Sequence, residues 1–222
     1  ASCPVGPVVQ PLGVLSALRR DAGAGGLRVP RRQHDAHELL VLALDRLESL
    51  SRLCTFTVRT TVVASATDWS ENHLTVPLAV ATPTADGVAP VLTVGALIDT
   101  YFGCETIDDG RARTTALIGP PPALLFVHLR RWDPTSLRRS GARVKLSERI
   151  RLGGREGRLI GVIHHSGSAS SGHYVADVRA AGGQWYRCND RAVTDLSAPP
   201  TSTPSQTAYI CVYNFASQTH AQ

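Results

Sequence analysis

The chain reads as an α+β protein, with helix-forming sequence concentrated near its start and strand-forming sequence filling the rest. That order favours segregated helices beside an antiparallel sheet over alternating βαβ units. Two observations carry the expectation. In QHDAHELLVLALDRLESL, residues 33–50, Ala36, Leu39, Leu40, Ala43, Leu44, Leu47 and Leu50 recur at steps of three and four, the period of one helix face. From residue 55 onward the period shortens to runs of β-branched and aromatic residues divided by Gly, Pro and Ser clusters.

Taken in order, PVVQPLGVLSALRR at 7–20 predicts a first helix with Val8, Leu12, Leu15 and Leu18 on one side, kinked or delayed by Pro11. DAGAGG at 21–26 is a loop, and the helix over 33–50 follows. TFTVRTTVVAS and HLTVPLAV read as strands, with the loop ATPTADGVAP after them. VGALIDTYFG predicts one more short helix. Beyond it LLFVHLRRW, ARVKLSERIRL, RLIGVIHHSG, HYVADVRA, QWYRCND and AYICVYNF read as successive strands. No internal repeat is evident.

Composition narrows the function classes. With 222 residues, 43% of them hydrophobic, the chain can bury a substantial core. No apolar run approaches the roughly 18 residues that span a bilayer. The start carries no charged-then-apolar leader pattern either, so an intracellular protein without a membrane partner is expected. The net charge is +5, and of 23 Lys and Arg only Lys145 is a lysine. The arginines fall in scattered pairs such as Arg19-Arg20 and Arg138-Arg139, not interleaved with aromatics, so no nucleic-acid partner is expected. Five cysteines at irregular spacing suit free thiols rather than a disulfide framework or a paired zinc site. His34 and His37 form an HxxH pair, yet nothing is spaced to complete a metal site, and no metal or cofactor is expected. The absence of Met suggests a segment of a longer polypeptide, multidomain or viral in origin.

The chemistry centres on one histidine. HYVADVRA and QWYRCND flank the turn sequence AAGG, which predicts an antiparallel hairpin centred near residue 181. Reflection through that centre sets His173 opposite Asn189 or Asp190. A histidine that acts as a base needs its second ring nitrogen held by such an acceptor, which fixes the tautomer and stabilises the imidazolium.

Several segments, in order, resemble the ubiquitin-specific protease family. Cys3, Gln10 and Leu12 keep the spacing of that family's cysteine box, although Pro4, Gly6 and Pro7 replace its usual neighbours. QHDAHELL resembles the glutamine-led start of its long helix, and PPALLFVHLRRWD the strand before its basic-aromatic pair, here Arg130, Arg131 and Trp132. LIGVIHHSGSASSGHYVADVR, WYRCND and AYICVYNF resemble its histidine box.

The resemblance covers nearly the whole chain. It implies a papain-like cysteine protease fold in one domain, 1–222, with a helical thumb at 1–54, reduced fingers without zinc at 55–118 and a β-sheet palm at 119–222. It implies a deubiquitinase cutting after the C-terminal glycine of ubiquitin, with Cys3, His173 and Asn189 as the triad. Asn189 is selected over Asp190 because the family's third residue lies four beyond a Trp, here Trp185. Asp190 would support the histidine or the oxyanion side.

For the substrate tail, Gln33 would hydrogen-bond. Asp35 and Glu38, three apart on one helix face, would meet its arginines. Gly172 would leave room beside the histidine, and Tyr174 and Trp185 would wall the cleft. The implied partners are ubiquitin or ubiquitinated proteins, with a ubiquitin-like modifier as a further candidate, and the implied state is a monomeric domain of a larger polypeptide. Two other readings stand beside this one: an inactive ubiquitin-binding pseudo-protease, and a cysteine protease processing its own polyprotein.

Overall fold

The structure, a computed structural model, describes residues 35–63, 67–80, 91–107, 110–132, 139–168 and 171–216. The helix expected at 7–20, together with Cys3 and Gln33, lies outside the described residues. The described helices and strands all belong to the unit Ala36–Gln222.

Its helices are α1 (Ala36–Arg46), α2 (Glu48–Cys54) and α3 (Val94–Tyr101). Its strands are β1 (Phe56–Val62), β2 (Thr67–His73), β3 (Thr75–Ala79), β4 (Leu92–Thr93), β5 (Cys104–Thr106), β6 (Ala112–Ile118) and β7 (Leu124–Arg130). They continue as β8 (Val144–Lys145), β9 (Arg149–Leu152), β10 (Arg155–Gly167), β11 (Gly172–Arg179), β12 (Trp185–Asn189), β13 (Ala192–Asp195) and β14 (Ala208–Asn214).

The single helix expected over 33–50 is two. Leu47 leaves helical geometry at φ −105° and ψ 81°, and α2 starts after it. Of the expected apolar face only Leu44 is buried, while Leu47 and Leu50 are 45% and 37% exposed. The helix period was legible, but the break and the exposure depend on what the face meets. In α3 the start is set locally, because the Thr93 side chain accepts from the Ala96 N–H at 3.1 Å.

The strands form a four-stranded sheet ordered β2-β1-β6-β5, an eight-stranded sheet ordered β13-β12-β11-β10-β14-β7-β3, with β9 also on β10, and a two-stranded parallel sheet of β4 and β8. The expected boundary at 55–118 does not follow this division, because β3 lies within it yet pairs in parallel with β7 of the larger sheet. β2, TDWSENH, was not expected from the sequence, and its residues are almost all exposed. It has no apolar alternation to read. It exists because β1 offers a partner edge, and Thr57 Oγ1 donates to Asn72 Oδ1 across the pair at 2.9 Å.

The core lies on the larger sheet. Leu125, Val127 and Leu129 alternate inward from β7 and join Leu159 and Val162 of β10 and Tyr213 of β14. Each such burial is worth roughly 1.5–3 kcal/mol of transfer free energy. Arg131 is 1% exposed among them. Its guanidinium donates to the carbonyls of Ala208, Ala142 and Ser205 at 2.7, 2.8 and 3.0 Å, so the family's basic residue is a buried staple here. Burial, then the charge of Arg139, lowers its pKa to about 10.

Candidate active site

Three consecutive residues at the start of β11 have three separate jobs. Gly172 packs against the ring of His165: a Cβ built there would stand 2.1 Å from His165 Nε2 and 2.8 Å from the Ser166 carbonyl. No side chain fits. The room it leaves is taken by His165 rather than kept beside His173, which corrects the sequence expectation. Tyr174, on the same face of the strand, sets its ring 4.6 Å from that of His165, tilted by 33°. Its hydroxyl accepts the Ala36 N–H at 3.4 Å, meeting one of the orphan donors at the head of α1.

His173 points to the other face. Its Nε2 lies 2.6 Å from Asn189 Oδ1 on β12. With an amide oxygen as acceptor, Nε2 carries the hydrogen and the Nδ1 lone pair is left to take a proton. Both side chains are exposed at the open end of the hairpin.

The hairpin that makes this contact is centred about one residue beyond the expected centre. β11 and β12 pair Arg179 with Trp185 and Ala176 with Cys188, so the hairpin is centred on residue 182. The cause is the turn. Ala180 N donates to Gln184 O at 2.8 Å, Gly183 N to Ala180 O at 2.9 Å, and Gly183 takes a φ of 91°, the bulged three-residue loop that only a glycine adopts cheaply. Asn189 therefore stands level with Val175, and it meets His173 as a diagonal neighbour on the same face.

Asp190 follows Asn189 at the end of β12. It occupies the turn between the paired residues Asn189 and Ala192 and is the one non-glycine with positive φ, 50°, among the described residues. A short polar side chain suits that conformation.

Trp185 is also corrected. It is 7% exposed, a member of the core, and lies at the turn end of the hairpin, about 20 Å of extended strand from His173, so it walls no cleft there. Asp35 immediately precedes α1 and Glu38 lies exposed in its first turn, so the two do not share a helix face as expected. His37 Nε2 is 3.0 Å from Thr75 Oγ1, and its ring stacks on His128 at 3.9 Å.

A buried network not expected from the sequence lies further along the same face of the hairpin. Asp177, 1% exposed on β11, accepts from Arg187 Nε and Nη2 at 2.7 and 2.8 Å and lies 3.0 Å from His164 Nε2. His164 Nδ1 is in turn 3.0 Å from Thr207 Oγ1. Burial alone would raise the Asp177 pKa, but the hydrogen bonds and charges of His164 and Arg187 outweigh it and bring it down to about 2. The alternation HYVAD, with a carboxylate at a core-facing position, was the signal available in the sequence.

Residues 8–213 match the family model described as ubiquitin carboxyl-terminal hydrolase. The chain belongs to the ubiquitin carboxyl-terminal hydrolase family. Within that family it is 44% identical over 39 residues to "Ubiquitin carboxyl-terminal hydrolase 8" of Saccharomyces cerevisiae, which is 18% of this chain and 8% of that protein. It is 32% identical over 108 residues to "Ubiquitin carboxyl-terminal hydrolase 2" of Homo sapiens, 43% of this chain and 18% of that one. Among solved structures it is similar to the Ubp8-Sgf11-Sgf73-Sus1 SAGA DUB module, at a TM-score of 0.70 and 17% identity, over 83% of this chain and 49% of that chain. It is also similar to the same module bound to ubiquitin aldehyde, at 0.67 and 16%, over 84% and 50%.

These likenesses show the fold of a ubiquitin-specific protease catalytic domain, an α+β, papain-like architecture. The chain spans about half the length of the solved chains and 18% or less of the length of these two curated relatives. Among the described residues no helix is long and apolar enough to cross a membrane.

Proposed function

We propose that the chain is a cysteine-type deubiquitinase that hydrolyses the isopeptide or peptide bond after the C-terminal glycine of ubiquitin. One observation carries the reading: His173 Nε2 is held by Asn189 Oδ1 at 2.6 Å on the exposed end of the hairpin, with Nδ1 free to work as a base. A bland polar rim would not require an imidazole held in one tautomer.

Nδ1 of His173 takes the proton of the Cys3 thiol, and the thiolate attacks the glycine carbonyl. As the tetrahedral intermediate collapses, the C–N bond breaks and His173 returns its proton to the leaving amine, leaving a thioester on Cys3. A water then gives its proton to His173 and attacks the thioester, and Cys3 leaves as the thiol, releasing ubiquitin with a free carboxylate. The Cys3 backbone N–H serves as one oxyanion donor. Gln33, Asp35 and Glu38, near the start of α1, are assigned to the basic tail of the substrate, and Tyr174 to the packing that fixes α1 against β11.

The substrate is ubiquitin on a protein, with a ubiquitin-like modifier as a further candidate, and the compartment is intracellular. The family relationship and the likeness to a module solved with ubiquitin aldehyde support the choice of ubiquitin as substrate.

The test is a thiol-reactive ubiquitin probe. The chain is expected to form a covalent adduct that Cys3→Ala abolishes and His173→Ala slows by about a hundredfold or more, the usual scale of a lost general base. Ubiquitin binding without any adduct favours an inactive ubiquitin-binding protein. An adduct that survives Cys3→Ala rejects Cys3 as the nucleophile.

A further inference from the structure

A second concave site lies at the opposite end of β11. A pocket of about 660 Å³ is bordered by Arg149, Arg155, Arg158 and Arg179, with Ile160 and Phe215 among its apolar lining. That volume lies within the usual range of small-molecule sites. Arg179 is six residues from His173 along the strand, about 20 Å, so the pocket is separate from the site already described.

The sheet itself gathers these charges. Arg149 on β9 pairs directly with Arg158 on β10, two like charges face to face. Gly161 pairs with Val178 on β11, which brings Arg179 level with Ile160, two residues beyond Arg158 and on the same face. β9 and β11 follow one another along β10, and their facing ends bring Arg149, Arg158 and Arg179 to the lining of one pocket. Like charges opposed across strands cost stability, so the arrangement calls for an offsetting anion.

The protein supplies part of one. Arg149 pairs with Glu156, and Arg158 Nη2 reaches Glu148 at 3.2 Å. Arg155 Nη2 donates to the Phe215 carbonyl at 2.6 Å, a neutral partner. Arg179 has no carboxylate partner among the described residues, and Arg158 Nε is buried with no hydrogen-bond partner. Four guanidinium groups thus face two carboxylates, a surplus of two positive charges. Burial, and the charges of Arg158 and Arg149 against that of Glu148, hold Arg179 below the ordinary arginine range.

We propose that this pocket is a binding site for a phosphate monoester, whose two charges match the surplus and whose organic body covers Ile160 and Phe215. A phosphate monoester carries roughly 1.5–2 negative charges at neutral pH and three acceptor oxygens, and planar guanidinium forks bind it in two-point fashion. A phosphodiester, with a single charge, leaves half of the surplus unmet.

The test is calorimetric titration of the chain, near physiological salt, with AMP and with O-phosphoserine, each against its unphosphorylated counterpart, adenosine or serine. Binding of a phosphorylated probe but not of its counterpart is expected. Arg179→Gln should weaken it by about tenfold or more, the scale of one charge-assisted hydrogen bond, without lowering the melting temperature of the free protein. If that variant does lose stability, Arg179→Lys, which keeps the charge and removes the fork, should bind with intermediate affinity. Binding of AMP alone points to a phosphorylated small molecule and of phosphoserine alone to a phosphorylated side chain, and either supports the site. The proposal is overturned if neither binds at millimolar concentration, if sulfate binds as tightly as both, or if the Arg179 variants bind like the parent chain.

Discussion

Asp177 and Arg187 face each other across β11 and β12, and the carboxylate takes both forked N–H groups of the guanidinium, at 2.7 and 2.8 Å. Arg187 and Asn189 are two apart on β12 and share a face, so the pair that pins the strand also carries Asn189 to His173. A slip of one residue would turn Asn189 to the wrong face. Arg187→Ala should therefore cost about 2 kcal/mol, below the range for a fully buried pair because the arginine is 43% exposed. Urea unfolding measures the loss. Arg187→Lys, which cannot fork, should recover part of it.

Acid should unfold the same network. The Asp177 pKa is lowered from 3.8 to about 2, so its share of the stability is complete above 3.8 and is lost as pH falls toward 2. The amount is about 2 kcal/mol for a group that is 1% exposed. Asp177→Asn should flatten the stability-against-pH curve between pH 4 and 2 in a series of urea titrations. A curve of unchanged slope there would refute the assignment.

Gly172→Ala should be among the most damaging single-methyl changes in the hairpin, because the new Cβ meets both His165 Nε2 and a backbone carbonyl that cannot move aside. Overpacking of this kind costs roughly 1–3 kcal/mol and should shift β11 at its first residue, so the ubiquitin probe should lose reactivity together with a fall in Tm. Adding His165→Ala should return part of the Tm but not all of it, since the Ser166 carbonyl remains.

At Asn189 the acceptor matters more than the amide. Asn189→Asp keeps an oxygen for His173 Nε2 and should retain probe reactivity within about tenfold, whereas Asn189→Ala should reduce it by about a hundredfold, the scale of a misdirected general base. Equal effects of the two variants would mean that the contact does not orient the imidazole.

Two thiols should be inert. Burial pushes the pKa of Cys54 up to about 11 and that of Cys211 up to about 12, and both are 0% exposed. Iodoacetamide at neutral pH should leave both unmodified in the native chain and label them only after denaturation, as mass spectrometry of the digested protein will show.

The candidate site divides along the same physical line as the fold. Helix α3, strands β7, β10, β11, β12 and β14 and the β11–β12 hairpin were legible because each carries its signal locally: the run VGALIDTYFG for a helix, alternation in LLFVHLR, glycines between two strand-like runs. β2 was not legible, since a polar exposed strand is made by its neighbour's hydrogen bonds alone. The break at Leu47 and the exposure of Leu50 were hidden for the same reason.

By itself, the sequence determined an α+β order of elements, a resemblance to the ubiquitin-specific protease family carried by its motifs, and a histidine within one residue of its partner, because period and motif are properties of short stretches. Only the tertiary structure decided that Asn189 meets His173 diagonally, that Trp185 is core, that Gly172 is reserved for His165 and that four arginines converge on one pocket. Each of these depends on strand register. Register is set by the one residue that Gly183 adds to a turn and by cross-strand pairs such as Asp177 with Arg187, and no stretch of sequence read alone contains both partners.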